Sequence, residues 1–339
     1  MKKSRSRLCD TFLLLLVTLL VLFIFTFYVP QALPKVNSAS HTVTILKGMG
    51  VRSIGHLLKE KGIISGVPQF VFAAKFLGKE GDLQAGRYIF PERNSIASVL
   101  KRLTRGEGEY KKVTIPEGLT INEVAHRLKT DAAVDSLMFI RLASDTAYIH
   151  TLGIEAGCLE GYLFPSTYIV HWEMDPREVI VRMVEAFKMV FTPEYESRAQ
   201  RLGFSIQEVL TLSSIIEREV MVQEERPIIS AVFHNRLELG RALESCATVE
   251  YALGVHKSRL TEEDLQVQSP YNTYLYAGLP PGPICNPGKA SIEAALYPAD
   301  VDYLYFVSEG NGRHIFSRSL EEHVRAKRRV KKSSSNVTN

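Results

Sequence analysis

Residues 11–29, TFLLLLVTLLVLFIFTFYV, form a run of 19 residues without a charge. About 20 apolar residues span the ~30 Å hydrocarbon core of a bilayer, so this run predicts a transmembrane helix. Lys2, Lys3, Arg5 and Arg7 precede it. A basic flank stays on the cytoplasmic side, which places everything after Pro30 outside. A cleaved signal peptide would carry a shorter apolar region with a small-residue cleavage site close behind. Here Tyr28, Val29 and Pro30 follow instead, and the small residues of SAS (38–40) stand far downstream. The run reads as an uncleaved anchor, and no other stretch of the 339 residues matches it.

That anchor changes how the charge is read. The net charge is +4, but residues 1–10 contribute +3 and the run KRRVKK (327–332) contributes +5, leaving −4 for the body between them. A mildly acidic body argues against a nucleic-acid surface. The basic end, 327–339, is expected to be a frayed, solvated tail. Cys158, Cys246 and Cys285 lie beyond the anchor at no metal-ligand spacing. One pair among them forms a disulfide, or all three are separate buried thiols; sequence leaves both open.

Residues 30–40, PQALPKVNSAS, are a polar linker. After it, VTILKG (43–48) predicts a strand with a turn glycine, and 51–62 a helix ended by Gly62. The unit returns: VTILKGMGVRSIGHLLK (43–59) aligns without gaps to VTIPEGLTINEVAHRLK (113–129), with seven of seventeen positions identical. A weaker echo lies in GRYIFPERNSIASVLKRLTRG (86–106). Such strand–turn–helix units resemble LysM-like modules, which bind N-acetyl sugars of cell-wall glycans; a structural spacer is the alternative. Farther on, 204–226 predicts one long helix opened by a Ser205–Glu208 capping box. Pro227 starts a second helix that ends at Gly240. Residues 269–288 read as loop, ASIEAALY as a short helix, and DYLYFVS with HIFS as a β-hairpin. A final helix opens on a second capping box, Ser319 with Glu322.

On a helix at about 100° per residue, Glu217 shares a face with Ile206, Leu210, Ser213, Ser214, Val220, Met221 and Glu224. Glu219 points to nearly the opposite side, toward Glu208 and Arg226, and Arg218 is not aimed at Glu217. A carboxyl set among apolar groups keeps its proton toward neutral pH, as a general acid in glycosidic cleavage requires. Ser213 and Ser214, small and one turn back, leave room for a sugar. A carboxylate at the edge of the core is the competing reading.

LEGYLFPSTY (159–168), SSIIEREV (213–220), VFHNRLELG (232–240), TVEYALG (248–254), SPYNT (269–273), GLPPGPICNPG (278–288) and YLYFVSEGNGRHIFSRSLEEH (303–323) occur in this order. In these stretches the chain resembles the endolytic murein transglycosylases of the MltG (YceG-like) family. The resemblance covers most of 113–325 and implies an α+β fold: an N-terminal transmembrane helix (11–29), a LysM-like module (41–111) and a mixed α+β catalytic domain (112–326). It implies that Glu217 is the catalytic acid, cutting the β-1,4 bond between N-acetylmuramic acid and N-acetylglucosamine. It implies no cofactor and no metal. The implied partners are peptidoglycan glycan strands, cell-wall synthases or division machinery, and the inner membrane. Glu160 in LEGY is the candidate second acidic group, positioning sugar or tuning Glu217, or else a structural carboxylate. Asn235 and Arg236 brace the site or bind glycan. Tyr271, Asn272 and Thr273 offer an aromatic platform and hydrogen bonds of the kind sugars use. Family members often read Gln-Ser-Asp-Pro-Thr-Val where this chain has Glu244-Ser245-Cys246-Ala247-Thr248-Val249. The Asp-Pro pair is missing, and Ser245 and Thr248 remain as polar candidates. Cys246 is not read as a nucleophile, since no base motif accompanies it. Two rival functions stay open: a non-catalytic glycan-binding scaffold, and a hydrolase using Glu217, Glu160 and water.

Overall fold

The computed structural model describes residues 15, 17, 18, 21, 31–32, 41–91, 93–257 and 260–337. The expected transmembrane segment and linker therefore lie almost wholly outside the described residues. No helix among the described residues is long and apolar enough to cross a membrane. The chain divides into two compact units, one of residues 1–112 with 169–174, the other of 113–168 with 175–339. Segment 169–174, which the sequence reading left in the second domain, groups with the first.

The first unit opens with β1 (His41–Ile45), α1 (Val51–Glu60), α2 (Val67–Phe76) and β2 (Gly86–Phe90). β1 and β2 pair antiparallel, His41 opposite Phe90 and Ile45 opposite Gly86. Alternation puts Val43 and Ile45 of β1, and Tyr88 and Phe90 of β2, on the buried face. Ile54 and Leu58 of α1 and Phe70 of α2 complete the core with Val99 and Leu103 of α3 (Ile96–Arg105). Burial of these side chains is the main stabilising term of so small a unit, at ~25 cal/mol per Å² of apolar surface.

The second unit begins inside β3 (Tyr110–Ile115), which pairs with β4 (Ser166–His171). Between them run α4 (Ile121–Ala132), α5 (Ser136–Ala143) and α6 (Thr146–Thr151). α7 (Pro176–Val190), α8 (Pro193–Leu202), α9 (Ile206–Glu219), α10 (Arg226–Glu238), α11 (Cys246–Leu253) and α12 (Lys289–Leu296) follow. A hairpin of β5 (Tyr305–Ser308) and β6 (His314–Ser317) leads to α13 (Leu320–Val337). The result is a mixed α+β fold with small two-stranded sheets.

α9 is the spine of this unit. Residues 209–216 are buried without interruption, and it packs against α8, α10, α11 and α12. A helix enclosed on all sides needs no polar stripe. Its N-terminus carries the expected capping box: Glu208 N–H donates to Ser205 Oγ, and Ser205 N–H to Glu208 Oε2. Its C-terminus is a correction, because the helix stops at Glu219 and does not run on to residue 226. Val220 turns extended at φ −84°, ψ 125°, and a single 3₁₀ turn at Gln223–Glu225 precedes α10. β-branched Val220 and Val222 weaken helical continuation here. The basic end is a second correction: α13 continues to Val337 through the segment expected to be frayed. Lys and Arg are good helix formers, and Glu322 N–H bonds to Ser319 Oγ at the helix start.

Candidate active site

Glu217 stands in the last turn of α9, its side chain 8 % exposed. Its Oε2 accepts the Gly288 N–H at 2.8 Å, and its Oε1 lies 3.4 Å from Arg226 Nη2. The break at Val220 takes Val220 and Met221 off the face that helical projection gave to Glu217; Met221 is exposed. Arg226, assigned by projection to the Glu219 side, instead pairs with Glu217. Both of these contacts interact best with an ionised carboxylate. Arg218 does point elsewhere, to Gly118 O and to Glu250.

Two glycines make this packing possible. Gly118, at φ +80°, lets the turn after β3 lie against Glu217, and a Cβ there would meet Glu217 Cγ at 3.8 Å. At Gly288 a Cβ would fall 1.8 Å from Glu117 Oε1, so no larger residue fits without moving Glu117. Gly288 thus has the Glu117 carboxyl against its Cα while its N–H bonds Glu217. Sequence reasoning missed Glu117. Partial burial, then the neighbouring Glu217 charge, raise the Glu117 carboxyl above its ordinary range, with Arg226 opposing. The internal repeat carried a signal: Glu117-Gly118 aligns with Lys47-Gly48, a charge reversal in the same turn.

Arg226 is itself buried. It donates to Gln223 and Glu217, while its Nε has no partner. Glu219 turns away from Glu217 and accepts the Ser245 hydroxyl. Burial raises its carboxyl above the ordinary range, with Ser245 and His314 opposing. Glu225 holds His314 through Nδ1 at 2.7 Å and the backbone N–H at 3.2 Å.

Glu160 is brought close but points into structure. Its oxygens accept the Ile121 N–H at 3.1 and 3.2 Å, at the start of α4, and the Asn286 Nδ2–H at 3.0 Å. Burial pushes it up to about 8, against the pull of the Ile121 N–H and of Tyr251 and Asn286. The folded protein therefore keeps a proton that the unfolded chain releases above the ordinary value of 4.5. Stability from this proton is full below that pH and is lost as pH rises toward about 8. Glu160→Gln, which does not titrate, is expected to lose less stability than the wild type between about pH 5 and pH 8. Urea midpoints at the two pH values check this, and equal losses would contradict it.

The other sequence candidates are mostly committed to the scaffold. Ser213 Oγ donates to Val209 O, and Ser214 Oγ donates to Thr211 O and accepts from Ile284 N–H. Both serines are fully buried. Asn235 Nδ2 donates to Val301 O and Tyr303 O. Arg236 bonds Ala242 O and Leu304 O, pairs with Glu244 and lies over the Tyr305 ring. Ser245 N–H donates to Thr273 Oγ1, whose oxygen is 2.8 Å from Thr248 Oγ1. Asn272 Nδ2 donates to Leu265 O and Val267 O. Tyr271 is partly exposed, its ring 4.9 Å from that of Tyr251. Cys158, Cys246 and Cys285 are all free thiols. Among the described residues no group of His, Cys, Asp and Glu could hold a metal ion.

A cavity of about 440 Å³ opens beside Arg218. Thr120, Asn122, Glu160, Tyr251 and His256 line it together with apolar Ala247, Val255 and Ile284. Hydroxyl, amide and carboxyl groups next to small apolar surfaces suit a sugar, whose faces are apolar and whose edges hydrogen-bond.

The model of the YceG-like family matches residues 43–329. An endolytic murein transglycosylase of Bacillus subtilis (strain 168) is 32% identical over 312 residues, covering 88% of this chain and 86% of that protein. One of Streptococcus pneumoniae (serotype 2, strain D39) is 30% identical over 342 residues; the match covers 88% of this chain but 62% of that longer protein. A crystal structure of a yceG-like protein from Listeria monocytogenes superposes with a TM-score of 0.59 at 34% identity, over 84% of this chain and 97% of that one. The chain belongs to the YceG-like family.

Proposed function

We propose that this protein is a membrane-anchored endolytic lytic transglycosylase of peptidoglycan. The observation that carries the reading is Glu217: a nearly buried carboxyl, fixed by Gly288 and Arg226, whose chain neighbour Arg218 lines a sugar-sized polar cavity. The names of its bacillar and pneumococcal relatives support the same chemistry and substrate. Protonated Glu217 gives its proton to the glycosidic oxygen between N-acetylmuramic acid and N-acetylglucosamine. The C1–O bond breaks through an oxocarbenium-like state, and the muramic 6-hydroxyl gives its proton to a carboxylate of the site as it closes on C1 in a 1,6-anhydro ring, so no water is consumed. Residues 11–29 serve as a single inner-membrane anchor with the N-terminus cytoplasmic, the first unit acts as a LysM-like glycan-binding module, and cleavage terminates strands made by the cell-wall synthases. Basic residues before the apolar run, and the strand–helix–helix–strand order of the first unit, support these assignments.

A water-using muramidase with Glu160 as second carboxylate is disfavoured, since Glu160 is committed to Ile121 and Asn286. Digestion of purified glycan strands followed by mass measurement tests the reading. New ends about 18 Da lighter than reducing ends, by the loss of one water, are expected. Reducing ends would assign hydrolysis, and binding without products would leave a scaffold.

A further inference from the structure

The environment of Glu217 poses a physical problem. A general acid must hold a proton at the working pH, yet the side chain faces a guanidinium and a backbone N–H. Both favour the charged carboxylate. Something nearby has to favour the neutral form. Glu117 is that group, because its carboxyl rests on the same glycine whose N–H binds Glu217. The charged groups that face Glu117 are Glu217 on α9 and Arg226 on α10, while the Arg218 side chain runs past the adjacent Gly118. Glu117 is exposed, so its carboxyl is open to an incoming strand. Among the described residues no side-chain hydrogen bond ties it down, in contrast to Glu160 and Glu219.

We propose that Glu117 and Glu217 work as one acid–base pair that holds a single proton between them, making Glu117 a second catalytic residue. This rests on the lytic reading above and deepens it. Two carboxyls held close cannot readily ionise together, so the second negative charge is suppressed and one proton is retained. During cleavage Glu217 gives the proton to the leaving oxygen as the C1–O4 bond breaks. Ionised Glu117 takes the proton from the muramic 6-hydroxyl as the O6–C1 bond forms. The pair begins and ends with one proton, and its redistribution to Glu217 resets the site. No co-reactant enters and no electron is transferred. Neither carboxyl has to serve both oxygens in turn. The Arg226 guanidinium, its Nη2 3.4 Å from Glu217 Oε1, tempers the shared charge.

The test is the pH profile of glycan cleavage by the full chain in detergent, comparing wild type, Glu117→Gln and Glu117→Asp. Gln matches the shape of Glu and removes the charge. With its anionic neighbour gone, the proton leaves Glu217 more easily. The alkaline limb of kcat/KM should then move to lower pH by about one unit or more. kcat near neutrality should fall about 10- to 100-fold with KM little changed, and Asp should restore much of both. A purely structural Glu117 would leave the alkaline limb where it is, and an unmoved limb in Glu117→Gln overturns the proposal whatever happens to kcat. Thermal unfolding of both variants confirms that they fold. If the wild type itself yields no anhydro ends, the lytic reading fails; anhydro ends from the wild type with an unmoved limb in the variant refute the pair alone.

Discussion

Asn286→Ala is expected to lower the unfolding free energy by about 3–5 kcal/mol. Asn286 is fully buried and uses its whole amide. Oδ1 accepts Gly161 N–H at 3.0 Å and Leu163 N–H at 2.9 Å. Nδ2 donates to Leu119 O at 2.9 Å and to Glu160 Oε1 at 3.0 Å. Alanine leaves the Gly161 and Leu163 N–H donors unpaired in the interior, at about 1–3 kcal/mol for each that finds no substitute, and takes one of two donors from Leu119 O and from Glu160 Oε1. The backbone of Asn286 also pairs with Leu119 and Gly118, so the side chain locks three segments together: 118–121, 160–163 and 284–288. Gly288, which donates to Glu217, belongs to the last of these. Activity is therefore expected to fall along with stability. Urea unfolding checks the value, and a loss under about 1 kcal/mol would mean that water or relaxation replaces these bonds.

Glu217→Gln should reduce kcat/KM about 10²- to 10⁴-fold, the range for loss of a general acid. The amide oxygen still accepts from Gly288 N–H and the volume is unchanged, so the fold should survive, with a thermal midpoint near that of the wild type. What disappears is the transferable proton. Cleavage rates of purified strands, read against binding of the same strands, separate this from lost affinity. Activity within an order of magnitude of the wild type would move the acid elsewhere in the site, with Glu117 the next residue to replace.

Local rules read well wherever local chemistry decides the structure. The Ser205–Glu208 capping box marks the start of α9 because its hydrogen bonds lie within four residues. The hairpin of β5 and β6 follows from two short alternating runs around a glycine-bearing turn. The failures share a different cause. The end of α9 depends on Val220 leaving the helix before a 3₁₀ turn, and one misplaced boundary moved Val220, Met221 and Arg226 to the wrong sides of Glu217. Ser213 and Ser214 looked like room for a sugar because the projection did not show their back-bonding to the helix and to Ile284. Asn286 was overlooked inside a proline-rich loop, since its four partners are long-range in sequence. Glu117 was present in the repeat as the charge-reversed counterpart of Lys47, but its meaning depends on Gly288, 171 positions away.

The central claim is that the new chain end is closed by the sugar's own 6-hydroxyl at the Glu217 site. Digestion of purified glycan strands in heavy-oxygen water tests this directly, with mass measurement of the ends. Anhydro ends that carry no solvent oxygen are expected, and none formed by Glu217→Gln. One heavy oxygen on each new muramic end would show that water attacks C1, and would contradict it.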